Sequence, residues 1–295
     1  MRAQADAIAL AAHWPEAMRQ SIADCADGRI SPELAVMRLA LQTSDPARLE
    51  RLLRETCEWF AKDAIRSERI RCAEALLRSH RDGVEALRAV AAAADHCAAP
   101  TGREALDYWA AVFDRAAELS PEASVALYSL GDSRLLEAAT EEIVVLMRGW
   151  GLLGAGRCAL DLGCGVGRFL VRLAPEFASI VGVELSPVMA ATACARSAAF
   201  ANASVVRTGG VDLGMFRDGS FDLVLAVDTF PYLVAAGADL ASAHVREIAR
   251  VLKNGGDFLL LNYSYRGDDD VDRCDVERLA AEVGFLCLRN GERPL

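Results

Sequence analysis

Ala159-Leu160-Asp161-Leu162-Gly163-Cys164-Gly165-Val166-Gly167-Arg168-Phe169-Leu170 decides how the rest of the chain is read. A short apolar run ends in an acid, and three glycines follow at alternate positions. The pattern predicts a buried strand, a glycine turn and a helix start. A strand that stops abruptly and lets a ligand approach its backbone needs residues without Cβ, which Gly163, Gly165 and Gly167 supply. The helix from Arg168 onward directs unpaired N–H groups and a partial positive charge into the same crevice, so a polar or anionic ligand is favoured there.

A glycine turn alone is shared by several nucleotide folds. The distal acid narrows the choice. Ser179-Ile180-Val181-Gly182-Val183-Glu184-Leu185 reads as a second apolar strand ending in a carboxylate 23 residues after Asp161. A βαβ unit places such an acid beside the two hydroxyls of a ribose. An NAD-binding dehydrogenase wants the same parts. Read as G-x-G-x-x-G from Gly163, however, its third glycine falls on Arg168, a bulky residue where close helix–strand packing needs none.

The stretch Asp161 to Gly167, with Glu184, resembles the class I S-adenosylmethionine-dependent methyltransferases, whose first motif is acid-x-Gly-x-Gly-x-Gly. The resemblance implies a doubly wound, Rossmann-like α/β sheet. It implies S-adenosylmethionine as cofactor, with Asp161, Gly163, Cys164, Gly165, Gly167, Glu184 and Leu185 around it. Met189 would lie against the adenine, and Tyr128, just before a helix that covers the cofactor, near its methionine end. The family often has Gly-Asp after the third strand, its acid accepting from the adenine amino group. Here Gly210 stands in that place, and Asp212, two residues on, is the substitute.

The 295 residues suit two domains, and an all-helical part at 1–118 before a cofactor domain at 119–295 is expected. Ser31-Pro32-Glu33 and Asp45-Pro46 are cap-then-proline helix starts. Thr101-x-x-Glu104 reads as a capping box, followed by Leu106, Trp109, Ala110, Phe113 and Ala117 on one helix-packing face. The helical part reads as a lid, a dimer surface or a substrate selector.

Nine cysteines are scattered without a Cys-x-x-Cys pair, as in a reducing cytoplasm. His13, His80 and His96 lie too far apart in sequence for a metal site, and His244 falls mid-helix. A formal net charge of −10 argues against a nucleic-acid partner. No apolar run reaches the roughly 18 residues of a membrane span, and no leader pattern is read at the N-terminus. A small-molecule acceptor is favoured.

Phe221 to Asp228 is the expected fourth strand, and acceptors lie outside such strand ends. Asp228 and Tyr232 are therefore the candidate catalytic residues, Asp228 also facing the cofactor, with Phe230 beside them. Phe258 to Tyr263 is the expected fifth strand. Asn262, Tyr263, Tyr265 and Arg266 at its end either reach a substrate or form a solvated strand terminus. Phe285 to Leu288 is the expected sixth strand. The resembled fold has a seventh strand inserted antiparallel between the fifth and sixth, for which no residues follow, so a homodimer or aggregation through that edge is expected. Transfer of a methyl group to an oxygen or nitrogen of a small molecule is the leading expectation. A non-catalytic cofactor-binding or partner-binding protein is the alternative.

Overall fold

The computed structural model describes residues 14–94 and 99–292. The chain divides into two compact units, Met1–Ala94 with Leu119–Leu136, and Asp95–Glu118 with Glu137–Leu295. The segment Asp95–Glu118, grouped from sequence with the helical part, is thus counted with the sheet.

The first unit is helical: α1 (Glu16–Ala26), α2 (Pro32–Ala40), α3 (Pro46–Trp59), α4 (Ala64–Ser79) and α5 (Arg81–Ala93). Ser31 caps α2 through Leu34 N, and Asp45 caps α3 through Arg48 N. Each side-chain oxygen satisfies an orphan donor of a first turn that proline has already shaped. Leu39, Leu52, Leu53, Ile70 and Leu87 are buried in this unit's own core. His80 Nε2 lies 3.2 Å from Asp132 Oδ2 in the same unit, while His13 and His96 lie outside the described residues.

The following elements are α6 (Glu104–Leu119), α7 (Pro121–Val125), α8 (Ser133–Gly149), β1 (Gly154–Leu162), α9 (Arg168–Leu173), β2 (Phe177–Glu184), α10 (Pro187–Ser197) and β3 (Ala203–Arg207). After them come β4 (Phe221–Val227), α11 (Phe230–Ala236), α12 (Ala238–Val251), β5 (Leu252–Leu261) and α13 (Asp269–Val283). The strands form one sheet in the order β3-β2-β1-β4-β5, every pair parallel.

Parallel strands need helical crossovers, so both faces are covered and the strands read as continuous apolar runs. Alternation then splits each strand between two cores. Ala159, Ile180, Leu223 and Leu225 meet Val144, Met147, Phe169 and Leu170 on one face. Leu160, Val183, Val224 and Ala226 meet Val245, Ile248 and Phe230 on the other. Each fully buried Leu or Phe contributes roughly 1.5–3 kcal/mol relative to exposure.

Two expectations are corrected. Phe285 to Leu288 forms no strand: Phe285 tucks its ring 6.2 Å from Phe258, but Leu286 and Leu288 stand 82% and 78% exposed. One anchored ring with outward neighbours does not make a ladder. The fifth strand starts at Leu252, six residues early. Pairing jumps from Phe221↔Leu252 to Leu223↔Asp257, and the extra residues include Gly255 at φ 77°. β5 therefore pairs only with β4 among the described residues and lies at an edge, not between two neighbours. Among the described residues no helix is long and apolar enough to cross a membrane.

Candidate active site

The site lies where β1 and β2 end. Gly163, Gly165 and Gly167 all have positive φ, at 74°, 55° and 82°. A Cβ on Gly163 would stand 2.3 Å from Thr229 Oγ1, and one on Gly167 would meet Ala193 at 3.0 Å. Glycine is required there by conformation and by space together. Gly163 N and Cys164 N both donate to Val183 O, at 2.8 and 3.0 Å, which ties the turn to β2. Cys164 is buried, its side chain filling the place a Cβ on Gly182 would need. Nothing marks it as reactive: burial pushes its thiol well above the ordinary value.

Asp161 closes β1, and its Oδ2 is buried without a hydrogen-bond partner among the described residues. Burial pushes its carboxyl up to about 7, against the pull of the Arg168 guanidinium and with a push from Glu184. An ionisable oxygen left bare in the interior costs free energy unless a donor fills the site. Arg168 opens α9 with its side chain 8% exposed, lies over the Phe169 ring at 4.7 Å and stands 3.9 Å from Asp228 Oδ2.

Glu184 ends β2. Its Oε1 accepts from Leu185 N and Ser186 N, each at 2.8 Å, and its Oε2 from Gly165 N at 2.8 Å. Burial still raises its carboxyl above the ordinary range, opposed by those three donors and aided by nearby Asp114. A carboxylate offers about four acceptor positions, so a bound hydroxyl finds room beside the three amides. Ser186 caps α10 by accepting from Met189 N at 3.0 Å, and Met189 itself is buried.

The other expected site residues are placed unequally. Asp212 is exposed, and its Oδ1 accepts from Gly214 N at 3.0 Å within its own loop. Tyr128 sits half-buried on the 3-10 turn Leu127–Ser129 of the helical unit. His244 is buried and held neutral by desolvation, with Nδ1 3.0 Å from Leu240 O in its own helix.

Asp228 and Asn262 stand together at the ends of β4 and β5. Both are non-glycine residues with positive φ, 59° and 65°, and Asn262 Nδ2 donates to Asp228 Oδ1 at 2.9 Å. Asn and Asp bear this backbone better than other side chains do, and such strain gathers at working sites. Tyr232 is enclosed by three rings, with Trp109, Phe113 and Tyr265 at centroid distances of 4.8, 4.9 and 5.8 Å. Its hydroxyl shares a hydrogen bond with that of Tyr265, and burial raises the Tyr232 phenol. Arg266 turns away to Asp272 and Asp275, so it braces α13.

Trp109, Phe113 and Asp114, all on α6, were not marked as site residues by the sequence. Asp114 Oδ1 accepts from Ser186 Oγ at 2.5 Å and Val188 N at 3.0 Å. Among the described residues no group of three or more His, Cys, Asp or Glu is set to hold a metal ion.

Comparison with known proteins agrees with this arrangement. Residues 160–260 match the family model described as a methyltransferase domain. Over 154 residues the chain is 30% identical to a demethylmenaquinone methyltransferase of Tropheryma whipplei, covering 52% of this chain and 58% of that one. Over 130 residues it is 25% identical to a sterol 4-C-methyltransferase of Caenorhabditis elegans, covering 43% of this chain and 37% of that one. The chain thus spans less than two thirds of either curated relative. Among solved structures it is similar to a phosphoethanolamine N-methyltransferase of Haemonchus contortus, with a TM-score of 0.47, 20% identity, and 54% and 33% of the two chains covered. The glycine turn and the two strand-end acids all fall within residues 160–260, the part of the chain that is similar to the methyltransferase domain family.

Proposed function

We propose that this protein binds S-adenosylmethionine and transfers its methyl group to an oxygen or nitrogen of a small-molecule acceptor. The observation that carries the reading is the bare, buried Asp161 Oδ2 beside a glycine turn whose Cβ positions are closed to side chains. Asp161 and Arg168 offer opposite charges to an amino-acid end, and Glu184 offers its remaining acceptor position to a ribose hydroxyl. Cys164, Leu185 and Met189 supply the apolar lining.

When bound, the cofactor supplies an electrophilic methyl group, so the chain's own work is positioning, exclusion of water and handling of one proton. Asp228 is the better-placed proton acceptor: its carboxylate is oriented by Asn262 and stands near Arg168. Tyr232 is kept neutral by burial and tied to Tyr265, which makes it a wall of the acceptor side. The choice between sterol-like, quinone-like and amine acceptors belongs to that wall.

Glu184→Ala should weaken binding of S-adenosylmethionine or S-adenosylhomocysteine by about 1–3 kcal/mol, the cost of unpairing hydroxyls from a charged acceptor. Titration calorimetry checks this, beside a thermal-shift comparison with NAD. Stabilisation by NAD and by neither methionine compound would overturn the reading.

A further inference from the structure

Helix α6 and the residues just before it are fastened to the cofactor crevice from Gly102 to Asp114. Two residues ahead of the helix, Gly102 N donates to Ala236 O, 2.6 Å away at the end of α11. One turn in, Leu106 lies over the loop after β3, since a Cβ on Gly210 would stand 3.1 Å from both Leu106 and Leu185. Trp109 and Phe113, four residues apart on one face, then hold the Tyr232 ring edge-on. Finally Asp114 meets Ser186 and Val188 at the start of α10, two residues beyond the acid that ends β2.

We propose that Asp114 is a positioning residue that latches α6 to the ribose rim, so that the aromatic wall of the acceptor side is set when the cofactor is bound. The proposal rests on the reading above. Glu184 and Asp114 share the positive end of α10 through one buried intermediary, Ser186, whose N–H serves Glu184 and whose Oγ serves Asp114. Two carboxylates at one helix start repel each other. A hydroxyl donor arriving at Glu184 aims its dipole at the carboxylate and screens part of that repulsion, which tightens the Asp114 contacts. By reciprocity, a tighter latch raises cofactor affinity by the same factor. Trp109 and Phe113 ride on the same helix, so the acceptor wall follows the cofactor.

Amide exchange with S-adenosylhomocysteine as the probe tests this. In the wild-type protein the ligand should slow exchange across residues 104–118 as well as 161–168. In Asp114→Ala, protection of 161–168 should persist while that of 104–118 is lost, and affinity should fall about tenfold, as for a lost hydrogen bond to a charged group. Asp114→Asn keeps an acceptor oxygen without the charge and should protect 104–118 with or without the ligand. Ligand binding that leaves 104–118 unchanged in the wild type, or protection that survives in Asp114→Ala, would overturn the latch. Failure of the wild type to bind the probe at all would overturn the cofactor reading instead.

Discussion

At the scale of single residues, the buried carboxyl of Asp161 sets how the ligand-free protein answers to pH. Asp161 and Glu184 were legible because a βαβ unit fixes where its strands end. That Asp161 keeps an oxygen bare was not legible, since a partner's absence depends on everything folded around it. Its raised carboxyl has a definite sign. A carboxyl that binds its proton more tightly in the folded chain than in the unfolded one adds stability at low pH. That stability is lost as pH rises from about 4 through about 7. Asp161→Asn should therefore remove a loss on the order of 4 kcal/mol across this window, leaving the part owed to Glu184, which shifts the same way. Melting temperatures of the two ligand-free proteins from pH 4 to 8 measure the difference, and parallel curves would remove Asp161 as its source. The left-handed Asp228 and Asn262 were likewise invisible, because both residue types are ordinary at strand ends.

At the scale of elements, periodicity told which face of a helix is apolar and not what covers it. Leu106, Trp109 and Phe113 read correctly as a packing face, yet their partners are Gly210, Leu185 and Tyr232 of the cofactor unit. The sixth strand failed for a related reason, as a four-residue apolar run has no register until a neighbour supplies one. The loop that precedes β4 is held by a different device. Arg250 on α12 donates to Phe216 O at 2.9 Å and Leu213 O at 3.0 Å, pairs with Glu247 and Asp218, and Glu247 accepts from Leu213 N. Arg250→Ala should cost about 1–3 kcal/mol in urea unfolding by stranding carbonyls and Glu247 together. Arg250→Lys should not rescue it, because a point charge cannot serve carbonyls and carboxylates in a fixed fork. Recovery with lysine would reduce the staple to simple charge.

At the scale of the whole chain, each compact unit has its own apolar core. Calorimetry should therefore resolve two unfolding transitions, and S-adenosylhomocysteine should raise only the one that melts the sheet. A single transition shifted as a whole would show the two cores to be cooperative. The division is also written in the chain's amines. Lysine occurs only at Lys62 and Lys253, one in each unit, both exposed. Lys253 is paired with Asp222 at 2.8 Å, which holds its proton more firmly. Acylating reagents should thus mark Lys62 before Lys253, and a lysine-to-lysine crosslinker of graded length becomes a molecular ruler with one mark on each half of the protein.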